Sequence, residues 1–79
     1  MAIYEIGRVC RKTAGAEAGK LCVILTKPTE GMVTIAGPNI KKSKTSMAHL
    51  EPLPNTVQIA KDAGQIEAVE ALKKEGLIL

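Results

Sequence analysis

The 79-residue chain has no phenylalanine, no tryptophan and one tyrosine, Tyr4. That excludes a row of aromatic rings on which single-stranded bases stack, with Tyr4 the sole candidate. The core has to be built from Val, Ile, Leu, Met and Ala, which give less buried area per residue than aromatic rings. Two cysteines, Cys10 and Cys22, are too few for a disulfide framework, and a reduced, cytosolic pair is expected. No apolar run is long enough to span a membrane, and the N-terminus carries no signal-peptide pattern. A single histidine, His49, with two cysteines falls short of the four ligands of a closed zinc site. No metal and no other cofactor is expected. His49 has no nucleophile or acid patterned beside it, so no catalytic residue, no enzyme activity and no small-molecule substrate are expected. Internal repeats and low-complexity segments are also missing.

A chain this short makes one small domain, able to bury only roughly 60% of the surface it exposes when unfolded. A partner that binds only the folded form adds stability by mass action, which suits such a protein to life in an assembly. The net charge of +3 is unevenly spread. Residues 1–54 hold eight Lys or Arg against four acids, net +4, whereas residues 55–79 hold three against four, net −1. The front therefore fits an anionic partner and the tail something else. From charge alone, an ordinary solvated surface fits as well.

Residues 6–12, "IGRVCRK", read as a strand anchored by Ile6 and Val9. Residues 20–26, "KLCVILT", are a continuous apolar run too short for a helix, which predicts a buried strand. "KPTEG" (27–31) is a turn, with Pro28 presetting one backbone angle. "MVTIAG" (32–37) alternates as a half-buried strand should, and "PN" (38–39) turns the chain again. "KKSKTSMAHL" (41–50) is polar and then apolar, and its second half reads as a short strand with Met47 and Leu50 inward. Pro52 and Pro54 break the pattern, and "TVQIA" (56–60) reads as an added edge strand. From Asp62 the period becomes helical: Asp62 with Gln65 resembles a capping box. Ile66, Val69 and Leu72 make an apolar stripe, Lys73 and Lys74 suit the dipole of the last turn, and Gly76 stops the helix.

"GRVCRKTAGAEAGKLCVIL" (7–25) contains Gly15, Gly19 and Lys20, superficially a phosphate-binding loop. A P-loop requires glycines five apart, then Lys, then a hydroxyl residue and a helix. Here the glycines are four apart, Leu21 follows Lys20, and the next segment is a strand. The stretch is instead a strand–loop–strand in which Gly15 and Gly19 are the loop-forming residues, letting a tight loop close where a side chain would clash.

Gly7, Val9, the loop glycines and Val23 resemble the KOW motif. Taken with "VTIAGPNIKKSKTSMAHLEPLP", the chain resembles the family of large-subunit ribosomal protein fourteen of the archaeal/eukaryotic type. The resemblance rests on Gly7-Arg8, the loop Thr13 to Gly19, Gly37-Pro38, Lys41 to Lys44 and His49 to Pro52, and covers residues 6 to about 54. The basic stretch here is "KKSKTSM", without the arginines usual in that family, and Lys offers a phosphate a point charge and not a fork.

The resemblance implies a mainly β fold, a small SH3-like KOW barrel over residues 1–54, and the pattern of the tail adds an edge strand and an α-helical extension over 55–79. It implies a structural constituent of the large ribosomal subunit, cytoplasmic and ribosome-bound, with rRNA and neighbouring ribosomal proteins as partners and no membrane. Arg8, Arg11, Lys12 and Lys20 flank the loop and can neutralise phosphates. Lys41, Lys42 and Lys44, with Ser43, Thr45 and Ser46, offer charges and donors to phosphate and 2′-OH groups. Any one of the first four can instead be solvated surface, and the second group a polar, mobile turn. Without aromatics, recognition should be of RNA backbone and shape. A KOW-type adaptor of a transcription or RNA-processing complex remains open. Cys10 and Cys22 are nearly equidistant from Ala16, so a symmetric hairpin places them face to face as free thiols.

Overall fold

The computed structural model describes residues 4–78. Five strands, β1 (Arg8–Lys12), β2 (Leu21–Ile24), β3 (Met32–Gly37), β4 (Ile40–Ser46) and β5 (Leu50–Thr56), precede one helix, α1 (Gln65–Lys74). A single 3₁₀ turn, Met47–His49, joins β4 to β5. The sheet is antiparallel throughout, in the order β4-β3-β2-β1-β5. Four strands form a meander and the fifth returns to pair with β1, the mainly β, SH3-like arrangement, with a helical extension.

Alternation along each strand sends successive side chains to opposite faces, and here both faces are covered. Cys10, Cys22, Ile24, Val33, Ile35 and Leu50 belong to one buried cluster, with Tyr4 and Met47 packed against it. Val9, Val23, Leu25 and Ala36 belong to a second cluster, which Ala68 and Leu72 of α1 complete. The central position of β2 explains its unbroken apolar run, since neither of its faces meets water. Cys10 stands opposite Cys22 in the ladder, so the hairpin is symmetric. Both thiols are free and buried, and Cys22 Sγ lies 3.6 Å from the Cys10 carbonyl oxygen.

The outer strands differ from the expected pattern. The basic stretch itself is strand, because β4 lies at the sheet edge and buries only Ile40 and Thr45. Met47 enters the 3₁₀ turn, and Leu50 opens β5. Residues 50–56 pair with β1 despite Pro52 and Pro54. The Lys12 amide and carbonyl both bond toward the β2 side, so those of Cys10, two residues earlier, turn the same way. Pro52, opposite Cys10, therefore lacks its N–H on the outer side of β5, where no ladder bond is lost. The strand ends at Thr56 and does not extend over 57–60; Val57 is buried and donates its N–H to the Gly7 carbonyl.

The helix begins at Gln65, three residues after the expected cap. Asp62 adopts a φ of 60°. The cap position is Gly64, whose N–H is accepted by Glu67 Oε1 at 3.1 Å. Gln65 instead donates from Nε2 to the Gly37 carbonyl at 2.9 Å, fastening the start of α1 to the end of β3. At the other end Gly76 N–H bonds the Lys73 carbonyl and Leu77 N–H that of Leu72, the paired bonds of a Schellman stop. The buried face is Ala68 and Leu72; Ile66, expected inward, is 72% exposed.

Candidate nucleic-acid interface

The loop between β1 and β2 is folded back on its own stem. Gly19 N–H bonds the Lys12 carbonyl at 2.7 Å, and Thr13 N–H bonds the His49 carbonyl at 2.8 Å. Gly15 and Gly19 have φ of +83° and +87°, and a Cβ at either would meet no atom within 4 Å. Their requirement is one of backbone conformation and not of space. Gly37 is the opposite case: its φ is ordinary, but a Cβ there would run into the Leu21 carbonyl oxygen.

Antiparallel alternation puts the 13–19 loop and the Pro38–Asn39 turn at the same end of the sheet. The β2–β3 register, Val23 opposite Ala36, carried two residues on, brings Leu21 alongside Pro38. Arg11 pairs with Leu21 in the ladder, so Arg11 and Lys20 sit at this end. Lys41 follows immediately from the turn. Lys44, opposite Thr34, continues the positive charge along the edge strand.

Three of the seven predicted cations are held by the fold. Arg8 donates to the Leu53 carbonyl and to Glu5 Oε1, both at 3.0 Å, with its side chain only 12% exposed. It clamps β1 to β5. Lys12 pairs with Glu17 at 3.1 Å, bracing the loop. Lys42 reaches the Asp62 carboxylate at 2.9 Å and its carbonyl at 3.1 Å. That hydrogen bond and the ammonium charge hold the Asp62 carboxyl below its ordinary range. The remaining four, Arg11, Lys20, Lys41 and Lys44, are exposed and make no ion pair among the described residues. Two of these contacts, Arg8 to Leu53 and Lys42 to Asp62, join residues 45 and 20 apart and leave no mark on the local pattern, whereas Glu5 and Glu17 lie within five residues of their partners. The residue that the sequence pattern missed is Lys73, which shares a groove with Lys20. Assigning the tail as acidic concealed it.

Burial raises the Cys10 thiol to about 11, against a smaller opposing effect of Arg8. Cys22 is raised to about 12 by burial and then by Cys10, partly offset by Lys12. Such thiols are inert packing groups. Among the described residues no three His, Cys, Asp or Glu side chains gather into a metal-binding cluster, and no helix is long and apolar enough to cross a membrane.

No protein-family model matches the chain. Curated relatives do, and they give the class first: they are archaeal proteins of the large ribosomal subunit. One from Metallosphaera sedula is 40% identical over 82 residues, covering 99% of this chain and 85% of the relative. Relatives from Desulfurococcus amylolyticus and Sulfolobus acidocaldarius are 37% and 38% identical, each covering 98% of this chain and 84% of their own length. All three are named large ribosomal subunit protein eL14. The chain belongs to the eL14 family.

Proposed function

We propose that the chain is a structural constituent of the large ribosomal subunit that binds rRNA through its backbone and shape. The carrying observation is the set of exposed cations that make no ion pair among the described residues, Arg11, Lys41 and Lys44, at one end and one edge of the sheet. Point charges on a rigid sheet suit a phosphate track. Tyr4 is half-buried against a core cluster, so base stacking has no platform here. Arg8, Lys12 and Lys42 act indirectly, by holding β5, the loop and the helix in place. In this reading residues 1–54 are the RNA-facing barrel and 55–79 the extension, with β5 crossing the seam, and the chain works in the cytoplasm on the ribosome beside other ribosomal proteins.

Binding of large-subunit rRNA fragments, titrated against salt, tests it. Replacing Arg11, Lys41 and Lys44 together by Ala should lower the slope of log K on log salt by about 2–3, near one per lost phosphate contact. The same change at Lys61 and Lys74 should leave the slope nearly untouched. Equal slopes for the two variants would sink the proposal. A chain that washes off large subunits in high salt would point to an adaptor instead.

A further inference from the structure

Helix α1 leaves one side uncovered. Ala68 and Leu72 are buried on the sheet, whereas Ile66 stands 72% exposed. Ile66, Val69 and Lys73 recur at three- and four-residue steps and so share a face. Val69 and Lys73, with Ile78, line one side of a groove of about 590 Å³, and Lys20, Leu21 and Pro38 line the other. The groove is thus framed by the glycine loop, the Gly37-Pro38 turn and the helix. Leu21, Pro38, Val69 and Ile78 give it an aliphatic part, and Lys20, Lys73 and Asn39 a polar one. Its two cations are exposed and form no ion pair among the described residues. The Gln65 bond to Gly37 and the Gly76 stop fix the helix, so the groove exists before anything enters it, which spares the ordering cost of binding.

We propose that this groove receives a peptide segment of a neighbouring protein of the large subunit. The segment would set an apolar side chain on Leu21, Pro38 and Val69 and a carboxylate between Lys20 and Lys73. The inference rests on the ribosomal reading above for the place where the partner is met. Charge complementarity selects an acidic segment. RNA suits it less well, because the aliphatic part of the lining offers phosphates and sugars no hydrogen bond in exchange for their water, and no ring is present to stack a base. A second copy of the chain would bring the same two cations face to face.

The test uses the full chain carrying p-benzoylphenylalanine at position 66, an exposed site, assembled into large subunits and irradiated. The same photoprobe at position 44 reports on rRNA. From position 66 the expected product is a cross-link to another subunit protein, at a peptide with Asp or Glu next to an apolar residue. Lys73→Glu should reduce that product about two- to fivefold, the scale of an exposed ion pair, and leave the product from position 44 unchanged. Cross-linking from 66 to rRNA, to another copy or back to this chain overturns the proposal. So does no product from 66 while 44 labels rRNA, or a yield indifferent to Lys73→Glu. A chain absent from the subunits refutes the ribosomal reading itself and removes this inference with it.

Discussion

Alkali should unfold this domain through two residues that never meet solvent. Cys10 and Cys22 titrate ordinarily at 9.0 and are raised to about 11 and about 12 in the folded protein. Each thiol is held protonated by the fold, so its contribution to stability is whole below pH 9. It is lost as pH rises toward the folded values, because the unfolded chain releases protons first. At pH 10 an unfolded thiol is mostly ionised and a folded one is not. Each therefore removes roughly 1.4 kcal/mol, about 3 kcal/mol together. That is a large share of the stability of a domain this small. The comparison protein carries Cys10→Ala and Cys22→Ala. Each change leaves a small void costing about 1 kcal/mol at every pH, while all other titrations are shared and cancel. Urea unfolding under reducing conditions at pH 7, 8, 9 and 10 gives the difference. The wild-type advantage should hold to pH 8 and then vanish or reverse by pH 10. Curves that stay parallel to pH 10 would refute the assignment of these thiols to a dry interior.

At Gly19, Val should lower stability by on the order of 1–2 kcal/mol from the left-handed backbone alone, whereas Asn, which tolerates that region, should recover part of it in thermal melts. Gly37→Ala should cost as much for a different reason, the overlap with the Leu21 carbonyl, and should speed amide exchange between β2 and β3. Leu72→Ala should destabilise by about 2–5 kcal/mol, while Ile66→Ala should stay within about 0.5 kcal/mol of wild type; similar losses would misplace the helix face.

What could be read in the sequence was whatever burial alone enforces. β2 and β3 stood out because their side chains meet one or two apolar faces, leaving a continuous run or a strict alternation. The end of α1 was equally plain, since Gly76 supplies the backbone that the stop needs. β4 and β5 were hidden. An edge strand can carry Lys41, Lys42 and Lys44 because water reaches it. A proline is tolerated at 52 because its missing donor faces outward, and that depends on which way Cys10 bonds. The start of α1 is hidden because Asp62 and Gln65 spend their side chains on Lys42 and Gly37, contacts 20 and 28 residues distant. The same long range takes Arg8 to the Leu53 carbonyl, 45 residues on, although its pairing with Glu5 and that of Lys12 with Glu17 are local.

The outward face of Pro52 has a consequence for what this protein does in a crowd of its own kind. A β-sheet grows by presenting a row of donors and acceptors to the next chain, and five short strands have two such rims. Along one, β5 lacks a donor at residue 52 on the very side a newcomer would approach. Along the other, β4 presents lysines that a second β4 would repel. A sheet whose rims are mismatched in this way resists polymerising edge to edge, so newly made copies can wait at high concentration for their place in a larger particle.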